Sequence, residues 1–108
     1  MWNKPSAEEL SAVPRLYETE DVPCINKIIH LHFFMGSTDL YVAEFDGEDR
    51  FFGFVILKGD RQNAEWGYFS LKEIERIRVH GIEFDRDLFW EKRPANEVEE
   101  ITLCSLGK

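Results

Sequence analysis

Apolar and polar positions along this chain fall into short blocks of strand-like character, separated by turn and capping signals. Residues 25–34, Ile-Asn-Lys-Ile-Ile-His-Leu-His-Phe-Phe, are rich in β-branched and aromatic types and predict a first strand. Period two places Ile29, Leu31 and Phe33 on one face and Ile28, His30, His32 and Phe34 on the other. Residues 40–45 predict a second strand and 50–58 a third, joined through Asp46-Gly47-Glu48-Asp49. Asp-Gly between apolar runs is a hairpin signal, because a type I′ turn needs positive φ at both central residues; Glu48-Asp49 can widen it into a longer loop. The third run is apolar on both faces, which predicts a central strand covered on both sides. Gly53 inside it predicts a bulge or a close backbone approach.

Residues 65–69 predict a fourth short strand and Ile82-Glu83-Phe84 a fifth. Helices are announced by their caps. Ser6-Ala7-Glu8-Glu9 has capping-box spacing, with Leu10 and Val13 inward and Pro14 as a stop. Ser70-Leu71-Lys72-Glu73 repeats that spacing and opens an apolar stripe of Leu71, Ile74 and Ile77. Residues 94–101 predict a last helix with Pro94 in its first turn. Residues 18–24 read as an exposed acidic loop, and 85–90 as an irregular segment with an aromatic end. No repeat and no internal boundary appears, so residues 1–108 are expected to form a single domain. The order of elements predicts an α+β fold: a mostly antiparallel sheet of four to five strands with two or three short helices packed on it.

Charge narrows the choice of partner. Thirteen Lys and Arg stand against 21 Asp and Glu, for a formal charge of −8. Such a chain is repelled at long range by nucleic acid and anionic lipid. Residues 39–49 carry Asp39, Glu44, Asp46, Glu48 and Asp49 with no basic residue, so the acidity concentrates at the central hairpin and at the two ends of the chain. Cys24 and Cys104 lack CxxC spacing and are expected as buried reduced thiols. The start of the chain has no signal-peptide pattern and no run of about 18 apolar residues occurs, so the expected compartment is the cytoplasm.

Several blocks recur together in one known setting: Pro14-Arg15-Leu16-Tyr17-Glu18-Thr19-Glu20, Ala43-Glu44-Phe45-Asp46-Gly47-Glu48-Asp49, Phe52-Gly53-Phe54, Trp66-Gly67-Tyr68-Phe69-Ser70-Leu71, and Asp85-Arg86-Asp87-Leu88 with Arg93-Pro94. In this order they resemble a bacterial family of small proteins classed as a domain of unknown function, whose members occur on plasmids, integrative elements and phages. The resemblance covers nearly the whole chain. It implies a mobile-element setting and assigns no catalytic or binding residue.

Candidate chemistry is sparse. His30 and His32 lie about 7 Å apart on one predicted strand face and could hold a metal with Glu44 from the next strand. Asp46, Glu48 and Asp49 offer oxygens to a hard cation, without the spacing of an EF-hand. Lys72, Arg76 and Arg78 form a small basic strip on the predicted second helix, interleaved with Glu73 and Glu75. No nucleophile motif and no phosphate-cradling glycine loop occurs, and nothing in the sequence asks for a cofactor. Trp2 and Trp90 are candidate interface aromatics.

The favoured reading is a non-enzymatic protein-interaction module. Its contact would be the hairpin carboxylates Glu44, Asp46, Glu48 and Asp49. In its specific form it is an acidic nucleic-acid mimic for a basic DNA-handling or defence protein. The alternatives are a metal-dependent hydrolase using His30, His32 and Glu44, and direct nucleic-acid binding through Lys72, Arg76 and Arg78.

Overall fold

The computed structural model describes residues 1–106. Its centre is a five-stranded sheet in the order β5-β4-β3-β2-β8, with every neighbouring pair antiparallel. The strands are β2 (Leu31–Met35), β3 (Thr38–Phe45), β4 (Arg50–Ile56), β5 (Glu65–Ser70) and β8 (Asp85–Arg86). Two small ribbons flank it: β1 (Ile28–Ile29) with β9 (Arg93–Pro94), and β6 (Arg78–Val79) with β7 (Ile82–Glu83). The helices are α1 (Ala7–Ser11), α2 (Leu71–Arg76) and α3 (Glu99–Leu106). The α+β expectation holds. Among the described residues no helix is long and apolar enough to cross a membrane.

Strand alternation builds two cores, one on each face. Leu40, Val42 and Phe45 of β3 join Leu31, Phe33 and Phe51 beneath Val13, Leu71, Ile74 and Phe84. Tyr41 and Ala43 join Phe54 and Ile56 beneath Ala95, Val98, Ile101 and Cys104. The middle strand is β3; β4 lies one place off the centre, still interior and largely buried. Gly53 meets both sequence expectations. The β3–β4 register slips between Val42 and Glu44, and a Cβ at Gly53 would stand 1.8 Å from the Tyr41 carbonyl oxygen.

Four boundaries differ from expectation. The first strand is interrupted: Cys24–Asn26 is a 3₁₀ turn, and the chain breaks its pairing at His30, whose N–H donates to the Val42 carbonyl at 2.8 Å. Ile29 therefore enters the second core while Leu31 and Phe33 enter the first. The last helix starts five residues late, because Pro94 pairs with Ile28 and the Ala95 N–H donates to the Lys27 carbonyl at 2.8 Å. The second helix stops at Arg76, so Ile77 and Arg78 are off it. Positive φ at two consecutive turn residues occurs at His80-Gly81 (53° and 81°), joining β6 to β7; at Asp46-Gly47 only Gly47 has it. Cys104 is buried and Cys24 half-buried, both as free thiols.

Candidate functional site

The hairpin carboxylates do structural work. Glu44 is 4% exposed, so it is no surface contact. Its carboxylate accepts from the Tyr17 N–H at 3.1 Å, from the Thr19 N–H at 3.3 Å and from the Thr19 hydroxyl, and it faces the equally buried Lys27 ammonium at 3.5 Å. Burial pushes its pKa up, but these donors outweigh burial and hold it below the ordinary glutamate value. Asp46 Oδ1 accepts from three amides, Glu48, Asp49 and Arg50, at 2.7–3.0 Å. Asp49 reaches α2: Oδ2 accepts from the Ser70 hydroxyl at 2.6 Å and Oδ1 from the Lys72 N–H at 2.7 Å. The Arg15 guanidinium lies against Gly47. Of the four predicted contact residues, Glu48 is an exposed carboxylate with a solvent-facing reading alone. The hairpin is thus a joint between β3, β4 and α2, and its charge is partly offset by Arg15, Arg50 and Lys72.

The proposed metal ligands do not share a site. His32 places Nε2 2.8 Å from Asp39 Oδ1 and Nδ1 3.0 Å from Asp87 Oδ2. The two carboxylates flank opposite edges of the ring and cannot share one ion with it. Both contacts are hydrogen bonds at once when both ring nitrogens carry protons, because an ionised carboxylate accepts and does not donate. Burial, reinforced by the Lys92 ammonium, lowers the His30 pKa, and its buried Nδ1 has no hydrogen-bond partner among the described residues. Among the described residues, no three His, Cys, Asp or Glu side chains gather into a metal-holding group. His30, His32 and Glu44 do not converge. The basic strip is dispersed as well: Arg78 sits on β6 and pairs with Glu83 at 2.8 Å, while Lys72 and Arg76 stay on α2.

What His32 does hold is the segment after β8. The Asp87 N–H donates to the His32 carbonyl at 2.9 Å, and the Trp90 N–H donates to the Asp87 carbonyl at 3.2 Å, closing a β-turn. Asp87 Oδ1 accepts from the Phe89 N–H at 3.0 Å, an Asx contact that braces the same turn. Beyond the turn, the Trp90 indole N–H donates to the Ile29 carbonyl at 2.9 Å, and its ring packs on His32 and Tyr41 beneath the Arg93 guanidinium. His32 itself stacks on Tyr41, with ring centroids 4.5 Å apart. Trp90, a candidate interface aromatic in the sequence, is therefore an anchor for the turn. The residues it anchors are the two at the apex: Leu88 is 58% exposed and Phe89 93% exposed. The sequence signal for this site is an apolar pair in the centre of a turn opened by Asp, where polar residues are usual.

Comparison of the chain with protein-family models, curated proteins and solved structures returns no match.

Proposed function

We propose that this chain is a non-enzymatic protein-interaction module whose contact is the Leu88-Phe89 turn. The observation that carries the reading is a phenyl ring 93% exposed on a backbone pinned from three sides, by His32, by the Asp87 carboxylate and by the Trp90 anchor. Burying a Phe side chain on a partner yields about 1.5–3 kcal/mol. A pinned turn gives up little further freedom on binding, so more of that energy appears as affinity. The partner is a protein with an apolar pocket. The resemblance to mobile-element proteins supports looking for it among host DNA-handling or defence proteins in the cytoplasm. The acidic surface enters this proposal as a source of solubility and of repulsion from nucleic acid, not as the contact itself.

The test is site-specific photocrosslinking from position 89 in cells, paired with affinity capture by the wild type and by Phe89→Asp. A defined partner should crosslink at 89 and be captured at least tenfold less by Phe89→Asp, a loss of about 1.4 kcal/mol or more. The thermal midpoint of the variant should match the wild type, since the ring touches little of its own chain. If every captured protein is retained equally by Phe89→Asp, the reading is wrong.

A further inference from the structure

The opposite edge of the sheet carries a second, independent feature. At the β8 end the edge is covered: the Trp2 N–H donates to the Phe84 carbonyl at 2.8 Å and the Arg86 N–H to the Trp2 carbonyl at 3.3 Å. At the other end β5 is terminal, and among the described residues no strand pairs with its outer side. Natural edge strands are protected by lysine, proline, bulges or brevity. β5, Glu-Trp-Gly-Tyr-Phe-Ser, has neither lysine nor proline, runs six residues and keeps an unbroken register from Val55↔Glu65 to Arg50↔Ser70.

Gly67 stands in the middle of that edge. Its neighbour across the ladder, Gly53, is glycine because the Tyr41 carbonyl leaves no room for a Cβ. Gly67 has no such reason: among the described residues nothing lies within 4 Å of where its Cβ would be, and its φ is not positive. A glycine that its own chain does not require, in an open edge strand, fits the close approach of something else. Gly67 lines a cleft of about 270 Å³ together with Val55, Leu57, Glu65 and Tyr68; Asp60, also in the lining, already accepts hydrogen bonds from Asn63. Apolar side chains beside the Glu65 carboxylate suit a side chain that has an aliphatic stem and a cationic head.

We propose that β5 accepts an extended segment of a partner protein as an added strand, with a lysine or arginine of that segment lying over Gly67 and its charged end at Glu65. Backbone pairing along β5 supplies affinity and the cleft supplies selectivity, the division of labour of strand addition. This surface is on the sheet edge remote from the Leu88-Phe89 turn, so it goes beyond the function proposed above and stands or fails separately.

The test is selection of displayed random heptapeptides on the whole chain, followed by affinity measurement and amide chemical-shift mapping. Selected sequences should carry Lys or Arg at one fixed position and perturb the amides of β5. Gly67→Val, which has room for its side chain and suits a strand, should keep or raise the thermal midpoint and weaken binding at least tenfold. Glu65→Lys should do the same through charge, and Phe89→Asp should leave binding unchanged. Selected peptides with no basic position, peptides that bind Gly67→Val as well as the wild type, or pairing of β5 with a second copy in place of peptide would each overturn the proposal.

Discussion

Glu44 shows how much a single side chain's meaning depends on where the strand puts it. In sequence it is one of five acids in an eleven-residue stretch with no positive charge, which marks a surface. The strand buries it instead, and Lys27 and Thr19 from the 18–27 segment close over it. A buried pair of this kind adds little compared with apolar packing, yet losing one member is costly because the other stays charged inside. Glu44→Gln is therefore expected to lower unfolding free energy by about 3–5 kcal/mol, measured by urea denaturation. Lys27→Met combined with Glu44→Gln should recover much of that loss. The single variant behaving like the wild type would mean that Lys27 finds solvent.

Among the elements, those set by local chemistry were legible and those set by distant partners were not. The capping box at Ser6 forms as spelled, with both reciprocal bonds. At Ser70 only half of the box forms: the hydroxyl accepts from the Glu73 N–H at 3.2 Å, and Asp49, 23 residues before Lys72, caps the Lys72 amide. No local pattern announces that bond. For the same reason the last helix starts later than its sequence pattern predicts, since Pro94 is claimed by Ile28 far back in the chain. The Leu88-Phe89 turn is half legible: its aromatic end is visible in the sequence, but its clasp to His32 joins residues 55 positions apart. Asp49→Ala should uncouple the hairpin from α2 at a cost of about 1 kcal/mol, the usual value of a lost cap. Hydrogen exchange would show it as faster exchange of the Leu71 and Lys72 amides, with the β3–β4 amides little changed.

For the molecule as a whole, acid is the expected weakness. Glu44, Asp46 and Asp49 all sit below their ordinary values of 4.5, 3.8 and 3.8. Burial opposes this for Glu44 and Asp46 and is outweighed by amide, hydroxyl and cation partners; for Asp49 the Ser70 hydroxyl leads. A carboxyl with a lowered folded pKa contributes stability that is present above its unfolded value and disappears as pH falls through the folded one. Urea midpoints should thus hold steady from about pH 6.5 to 5.5 as far as these groups are concerned and fall steeply below about pH 4.5. A midpoint at pH 3.5 equal to that at pH 6 would show that these bonds do not stabilise the fold.

The contact between Gly53 and the Tyr41 carbonyl has one more consequence, for how the sheet finds its alignment. Its neighbours in β4 are Phe52 and Phe54, so a slip of β4 by one position either way would press a phenylalanine Cβ into space that holds no carbon at all. The same slip would turn every side chain of β4 to the wrong face. Wrong alignments of the central hairpin are thereby excluded by collision, whatever the apolar attraction between two strands this rich in aromatic residues would otherwise permit.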